Sequence, residues 1–159
     1  MRIINKNEAL ALFKNKYVNF ISGSFDLIHA GHIDFLKQAK DYDSKVPLLI
    51  VVLDDRNIRF RKGPTRPIYP LYQRMKILSA IKYIDYLMAW EDNWKELRGF
   101  VENIKISNLF VGSKDLGIDN KKEIAFKQGF NLITLKQYNQ VSTTSIIKRI
   151  LNNAEKSER

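Results

Sequence analysis

The chain has no cysteine, only two histidines, four prolines and seven glycines in 159 residues. Without cysteine there can be no disulfide framework and no thiolate metal site. That absence suits an intracellular protein, and a cytoplasmic location is expected. No apolar run approaches the ~18 residues that a membrane-crossing helix needs, so no membrane partner is expected. The start, Met1-Arg2-Ile3-Ile4-Asn5-Lys6, has too short an apolar stretch for a signal peptide. Internal repeats, low-complexity segments and Gly/Ser linkers are also missing.

What is present fits one domain spanning residues 1–159, with 152–159 read as a polar, fraying tail. A chain this long buries roughly 70% of its unfolded surface, and 45% hydrophobic residues can fill the core. The net charge is +10, from 27 Lys+Arg against 17 Asp+Glu. Such a surplus favours anionic partners, whether nucleotides, phosphorylated metabolites or nucleic acid. It equally describes a solvated basic surface, so charge alone does not choose.

Hydrophobic spacing supplies the architecture. Residues 7–15 have helical spacing, with Asn7 as the cap, and Tyr17-Val18-Asn19-Phe20-Ile21-Ser22 is a β-rich run stopped by Gly23. A helix is predicted from Ala30 to Asp41. Leu48-Leu49-Ile50-Val51-Val52-Leu53 is apolar throughout, as in a strand buried on both faces. Residues 54–69 are polar and carry Gly63, Pro64 and Pro67, which predicts a long loop. Pro70 opens a helix to Lys82 with Leu71, Met75, Leu78 and Ile81 on its stripe. Strands at 85–90, 109–111 and 130–135 alternate with helices at 94–103, 121–127 and 142–151. Five strands alternating with helices predict an α/β fold with a parallel sheet, helices on both faces and ligands at the carboxyl ends of the strands.

Both histidines fall just after the first predicted strand, in Gly23-Ser24-Phe25-Asp26-Leu27-Ile28-His29-Ala30-Gly31-His32. Gly23 lets the chain turn off the strand. Free N–H groups at a helix start can face an anion. Imidazoles three residues apart share a helix face and can donate to one phosphate chain. Gly31 removes a side chain where a ribose or base must come close. A surface pair and a metal pair are the competing readings; the metal pair would need carboxylates to complete it. Asp54, Asp55 and Asp115 lie near strand ends, but none is assigned as a metal ligand. Ser142-Thr143-Thr144 form a natural cap at a helix start, which also attracts anions. Trp90 and Trp94 could stack on a base, although packing is the commoner use.

The histidine segment resembles the GxFDxxHxGH signature of the cytidylyltransferase-like nucleotidyltransferases and matches it at every fixed position. Lys62-Gly63, Arg66-Pro67 and Gln73-Arg74 resemble the family's K-G, R-P and Q-R segment. Lys82-Tyr83-Ile84-Asp85 and Ser142-Thr143-Thr144-Ser145-Ile146 resemble two further motifs, so the likeness covers about residues 17–150. It implies a Rossmann-like, doubly wound five-stranded parallel sheet. It also implies transfer of a nucleoside monophosphate from an NTP, carried with Mg²⁺, to a phosphorylated small molecule, and a homodimer. His29, His32 and Lys62 would be catalytic, with Lys62 on a mobile loop. Gly23, Ser24, Phe25, Asp26, Gly31, Arg74, Ser142, Thr143 and Thr144 would form the nucleotide site, with Asp26 ordering its loop and Arg74 meeting phosphate or bracing the site. Asp55 and Arg66 would meet the acceptor.

Within the family the sequence is most similar to the nucleotidyltransferase part of ADP-heptose synthases, enzymes of lipopolysaccharide biosynthesis; their frequently fused sugar-kinase domain has no room in 159 residues. Two segments depart from relatives. The sugar enzymes carry K-G-G-D-Y where this chain has Val111-Gly112-Ser113-Lys114-Asp115. The alcohol-phosphate cytidylyltransferases carry R-T-x-G where it has Gln137-Tyr138-Asn139-Gln140, although Glu91-Asp92-Asn93-Trp94 is similar to a stretch of the glycerol-phosphate enzyme. A glycerol-phosphate or other alcohol-phosphate cytidylyltransferase and an FAD synthetase are the alternatives, and the residues do not choose between ATP and CTP. A nucleic-acid module is the reading from another class, but the lysines are dispersed and no nucleic-acid motif is present.

Overall fold

The computed structural model describes residues 1–113, 115, 117–136 and 141–157. Six strands form one parallel sheet: β1 (Arg2–Ile3), β2 (Val18–Gly23), β3 (Leu48–Leu53), β4 (Tyr86–Trp90), β5 (Ile106–Gly112) and β6 (Asn131–Leu135). Their spatial order is β1-β4-β3-β2-β5-β6. The expected count of five is therefore corrected to six. The extra strand is the two-residue β1, which pairs Arg2 with Tyr86 and Ile3 with Leu87 at the sheet edge. Two exposed residues carry no readable periodicity.

Among the described residues six helices connect the strands, α1 (Lys6–Phe13), α2 (Ala30–Tyr42), α3 (Asp55–Lys62), α4 (Leu71–Ser79), α5 (Trp94–Glu102) and α6 (Ile118–Gln128), and α7 (Thr143–Ser157) follows β6. They cover both faces of the sheet. All six β3 residues are buried, and they alternate between two cores. Leu49, Val51 and Leu53 pack with α1, α3 and α5 through Phe13, Ile58 and Leu97. Leu48, Ile50 and Val52 pack with α2 and α4 through Leu36 and Leu78. Each such fully buried side chain contributes roughly 1.5–3 kcal/mol relative to exposure, so β3 anchors both layers.

Three local expectations change. Asn5, not Asn7, caps α1: its side chain accepts from the Glu8 amide at 3.0 Å, and Glu8 accepts from the Asn5 amide at 2.9 Å. Residues 55–62, expected as loop, form α3. Asp54 caps it by accepting from the Asn57 amide at 2.7 Å. Ile58 is the one fully buried residue of this charged helix, so it shows no apolar stripe. The last helix continues to Ser157, so residues 152–157, expected as a polar tail, are exposed but helical.

The strand order sets the site. From β2 the chain moves outward through β3 to β4, then returns across the sheet to β5. Neighbouring β2 and β5 therefore send their following connections to opposite sides, and a crevice opens at their carboxyl ends.

Candidate active site

A cavity of about 610 Å³ occupies that crevice. β2 delivers the chain to it at Gly23, where an added Cβ would stand 3.1 Å from the Phe25 ring. The turn continues through Phe25 and Leu27, both at positive φ (47° and 46°). Left-handed backbone costs a non-glycine residue roughly 1–2 kcal/mol, so something must hold the turn. Asp26 does. Its buried carboxylate accepts from Arg66 Nε at 2.7 Å and from the amides of Ile68 and Tyr69 at 3.0 Å. Burial alone would raise its pKa; the Tyr69 and Ile68 amides and Arg66 outweigh that, and the net direction is down. The Asp26 carbonyl oxygen accepts from Thr143 Oγ1 at 2.6 Å, which ties the start of α7 to the turn.

Arg74 braces the same turn from beneath. It is fully buried and donates to the carbonyls of Ser24 (2.6 Å), Leu53 (2.8 Å) and Tyr69 (2.9 Å), and to Asp55 Oδ1 at 2.7 Å. Arg74 thus braces the site, one of the two roles expected of it; it pairs with Asp55, and neither residue is among those that line the cavity.

His29 caps α2. Its Nδ1 accepts from the Gly31 amide at 3.1 Å. Nδ1 is then the unprotonated nitrogen, and the neutral ring carries its proton on Nε2. Gly31 makes this possible: an added Cβ would lie 3.0 Å from His29 Cε1 and 3.3 Å from the Val141 carbonyl. The His32 ring stacks on His29 at 4.0 Å between centroids. Burial pushes the His32 pKa down to about 3, helped by the charges of His29 and Lys62 and opposed by Asp26. Burial also lowers that of His29. Both imidazoles are thus neutral near pH 7, and the buried Nδ1 of His32 has no partner among the described residues.

Lys62 is the final residue of α3, ahead of Gly63 at φ +93°. The mobile-loop expectation is corrected accordingly. The residue keeps solvent contact yet stands inside the concave wall. That crowding, then the charges of Arg66 and Arg61, lowers its pKa; Asp26 opposes them. Ser142, Thr143 and Thr144 line the opposite side, where Ser142 Oγ accepts from the Ser145 amide at 3.1 Å. Ser24 and Arg66 also line the cavity, and Arg66 Nη2 is buried without a partner among the described residues.

The structure thus brings the histidines, Lys62 and the Ser142–Thr144 cap to one cavity. The three carboxylates near strand ends, none of which is assigned as a metal ligand, all have partners within the chain, and of them only Asp115 lines the cavity. Asp54 caps α3, Asp55 pairs with Arg74, and Asp115 accepts from Lys121 at 2.6 Å and the Gly117 amide at 2.8 Å. No cluster of three His, Asp or Glu able to hold a metal occurs among the described residues. Trp90 is core, packed on Phe100 at 5.3 Å. Arg61 is a charged cavity residue that the sequence motifs do not include. It sits in an arginine-rich run read as loop, and only the phase of α3 shows which way it faces. Lys114 and the segment 137–140, used in the comparisons with relatives, lie outside the described residues.

This geometry, a Rossmann-like sheet with stacked histidines and two helix starts at its switch point, agrees with the comparisons to known proteins. The cytidylyltransferase-like family model matches residues 20–149, and the chain belongs to that family of nucleotidyltransferases. Over 133 residues, 82% of this chain, it is 35% identical to the bifunctional protein HldE of Alcanivorax borkumensis, and it spans 27% of that protein's length. Among solved structures, the lipopolysaccharide core biosynthesis protein of Thermoplasma volcanium shares the fold with a TM-score of 0.59 and 22% identity, over 77% of this chain and 96% of that one. A pantoate-beta-alanine ligase of Francisella tularensis, complexed with beta-gamma ATP and beta-alanine, shares it at 0.61 and 15%, over 88% and 68%. No helix among the described residues is long and apolar enough to cross a membrane.

Proposed function

We propose that this chain transfers a nucleoside monophosphate from an NTP to a sugar phosphate such as heptose 1-phosphate, with release of pyrophosphate. One observation carries the reading: neutral His29 and His32, Lys62 and the starts of α2 and α7 surround a single cavity. The similarity to HldE and to a lipopolysaccharide core biosynthesis protein supports the sugar-phosphate acceptor.

The roles follow from the chemistry. An acceptor phosphate oxygen attacks the α-phosphorus in line, and the α–β bridging bond breaks as pyrophosphate leaves. A phosphate dianion needs no base to remove a proton, which suits neutral histidines acting as hydrogen-bond donors. His29 offers Nε2–H because Gly31 holds Nδ1. The helix starts at His29 and Ser142 add backbone N–H groups and favourable dipoles toward the departing charge. Lys62 stabilises charge at the α-phosphate. Positioned donors of this kind act chiefly on the transition state. Mg²⁺ would arrive on the triphosphate of the substrate and offset part of its charge.

The test is a pyrophosphate-release screen of ATP–Mg²⁺ and CTP–Mg²⁺ against heptose 1-phosphate, other sugar phosphates, glycerol 3-phosphate, choline phosphate and FMN. Turnover with a sugar phosphate is expected. Turnover with glycerol 3-phosphate, choline phosphate or FMN alone would replace the acceptor. Tight duplex-DNA binding at physiological salt, with no NTP binding, would replace the whole reading.

A further inference from the structure

We propose that Arg61 reads the acceptor: its guanidinium, seated over Trp94 at the rim where α3, α5 and α6 meet, binds the phosphate of the second substrate. This rests on the nucleotidyl-transfer reading and extends it to a residue that the motifs do not include.

The cavity straddles the carboxyl edge of the sheet, and its two walls belong to different layers. The histidines start α2, which packs into one core through Leu36, and Thr143 at the start of α7 joins the same wall through Asp26. Arg61 belongs to the opposite layer. Its helix packs through Ile58, and its neighbours α5 and α6 pack through Leu97 and Ile118. The Arg61 guanidinium carbon lies 4.7 Å from the Trp94 ring centroid, and Nη2 comes within 3.8 Å of where a Cβ on Gly117 would stand. A ring face restrains a guanidinium without occupying its N–H edges, which stay available to an anion.

Charge and reaction geometry point the same way. Of the cavity's cations, Arg66 is paired with Asp26. The cavity's other carboxylate, Asp115, is paired with Lys121. Arg61 and Lys62 form no ion pair within 4.0 Å among the described residues; Asp115 feels the charge of Arg61 but its closer cation is Lys121. In-line displacement places the incoming oxygen and the leaving pyrophosphate on opposite sides of the α-phosphorus. If pyrophosphate departs toward the α2 and α7 starts, with Lys62 at the α-phosphate, the attacking phosphate comes from the Arg61 wall. Arginine pairs two N–H groups with two phosphate oxygens, so it recognises a phosphomonoester better than an uncharged acceptor.

Arg61→Met keeps the aliphatic stem against Trp94 and removes the charge. With the acceptor that supports turnover, its acceptor KM is expected to rise at least tenfold while the KM for NTP–Mg²⁺ changes less than twofold. Arg61→Lys should recover part of the loss, because it restores charge without the fork. Trp94→Leu, checked for folding by thermal melting, should give a smaller rise in acceptor KM with the charge still present. An unchanged acceptor KM in Arg61→Met, or a rise confined to NTP, would overturn the assignment while wild-type turnover leaves the nucleotidyltransferase reading standing. Calorimetric titration of the sugar phosphate into enzyme holding a non-hydrolysable NTP analogue gives the matching binding readout. If the wild type neither turns over nor binds any acceptor of the panel, the function and the Arg61 role fall together.

Discussion

The two ends of the β2–β5 seam both bury polar side chains, and they treat them differently. At the amino end Asn108 donates to Asn19 Oδ1 at 2.8 Å, Asn131 donates to Asn108 Oδ1 at 3.1 Å, and Asn19 donates to the Asp43 carbonyl at 3.1 Å. Nearby, Asp85 accepts from the Leu48 amide at 2.7 Å and Lys40 at 2.6 Å. These groups are answered from within the chain. At the carboxyl end His32 Nδ1 and Arg66 Nη2 are buried without partners among the described residues, and two residues hold positive φ. A satisfied buried network fixes register; unmet groups around a cavity are the form that ligand-binding chemistry takes.

Substitutions at the two ends should therefore fail in different ways. The largest effect is expected at the stacked imidazoles: His29→Ala and His32→Ala should each lower kcat by about 10²–10³, with thermal melting showing a retained fold. Wild-type kcat in either variant would break the comparison at its chemical end. Lys62→Ala should lower kcat and kcat/KM together by about 10–10², with little change in KM for NTP, as expected for a group acting on the transition state. Exposed Arg59 is the control, and Arg59→Ala should cost little. A KM effect at constant kcat would reduce Lys62 to a ground-state anchor.

At the other end, Asn108→Ala should destabilise by about 1–3 kcal/mol, because it strands the buried Asn19 oxygen, and kinetic constants should stay within twofold. Denaturant unfolding beside steady-state assay separates these outcomes.

The smallest effect concerns pH. The folded pKa of His32 is pushed to about 3 from an ordinary 6.5, so the unfolded chain binds the proton first as pH falls. The stability this contributes is complete above pH 6.5 and is lost as pH drops toward 3. Between pH 6.5 and 5 the loss should be about 1–2 kcal/mol, and His32→Gln should remove that part of the slope in unfolding curves. Asp26, whose pKa is also lowered, adds its own loss only in more acid solution.

How much of this was legible in the sequence follows the same division. β3 was readable to the residue, because a strand covered on both faces is apolar at every position. The histidine turn was readable because its residue types are tied to phosphate chemistry. Arg74 and Asp85 were visible as motif residues, and only their partners show how they brace the chain. α3 was hidden because one buried isoleucine among charged residues leaves no stripe, and Arg61 and the true setting of Lys62 were hidden with it. β1 is too short to have a period. The helical extent of α7 beyond Leu151 was not readable because its polar residues are exposed on a helix with no fully buried position.

Because the chain has only two histidines, nitrogen-detected NMR of the ¹⁵N-histidine-labelled protein tests the central claim directly. During titration with ATP–Mg²⁺ or CTP–Mg²⁺ at neutral pH, both imidazoles are expected to shift and saturate at one common NTP concentration, with His29 Nδ1 remaining unprotonated throughout. Histidine signals that stay unmoved by either NTP at saturating concentration would contradict the claim that these two rings form the nucleotide site.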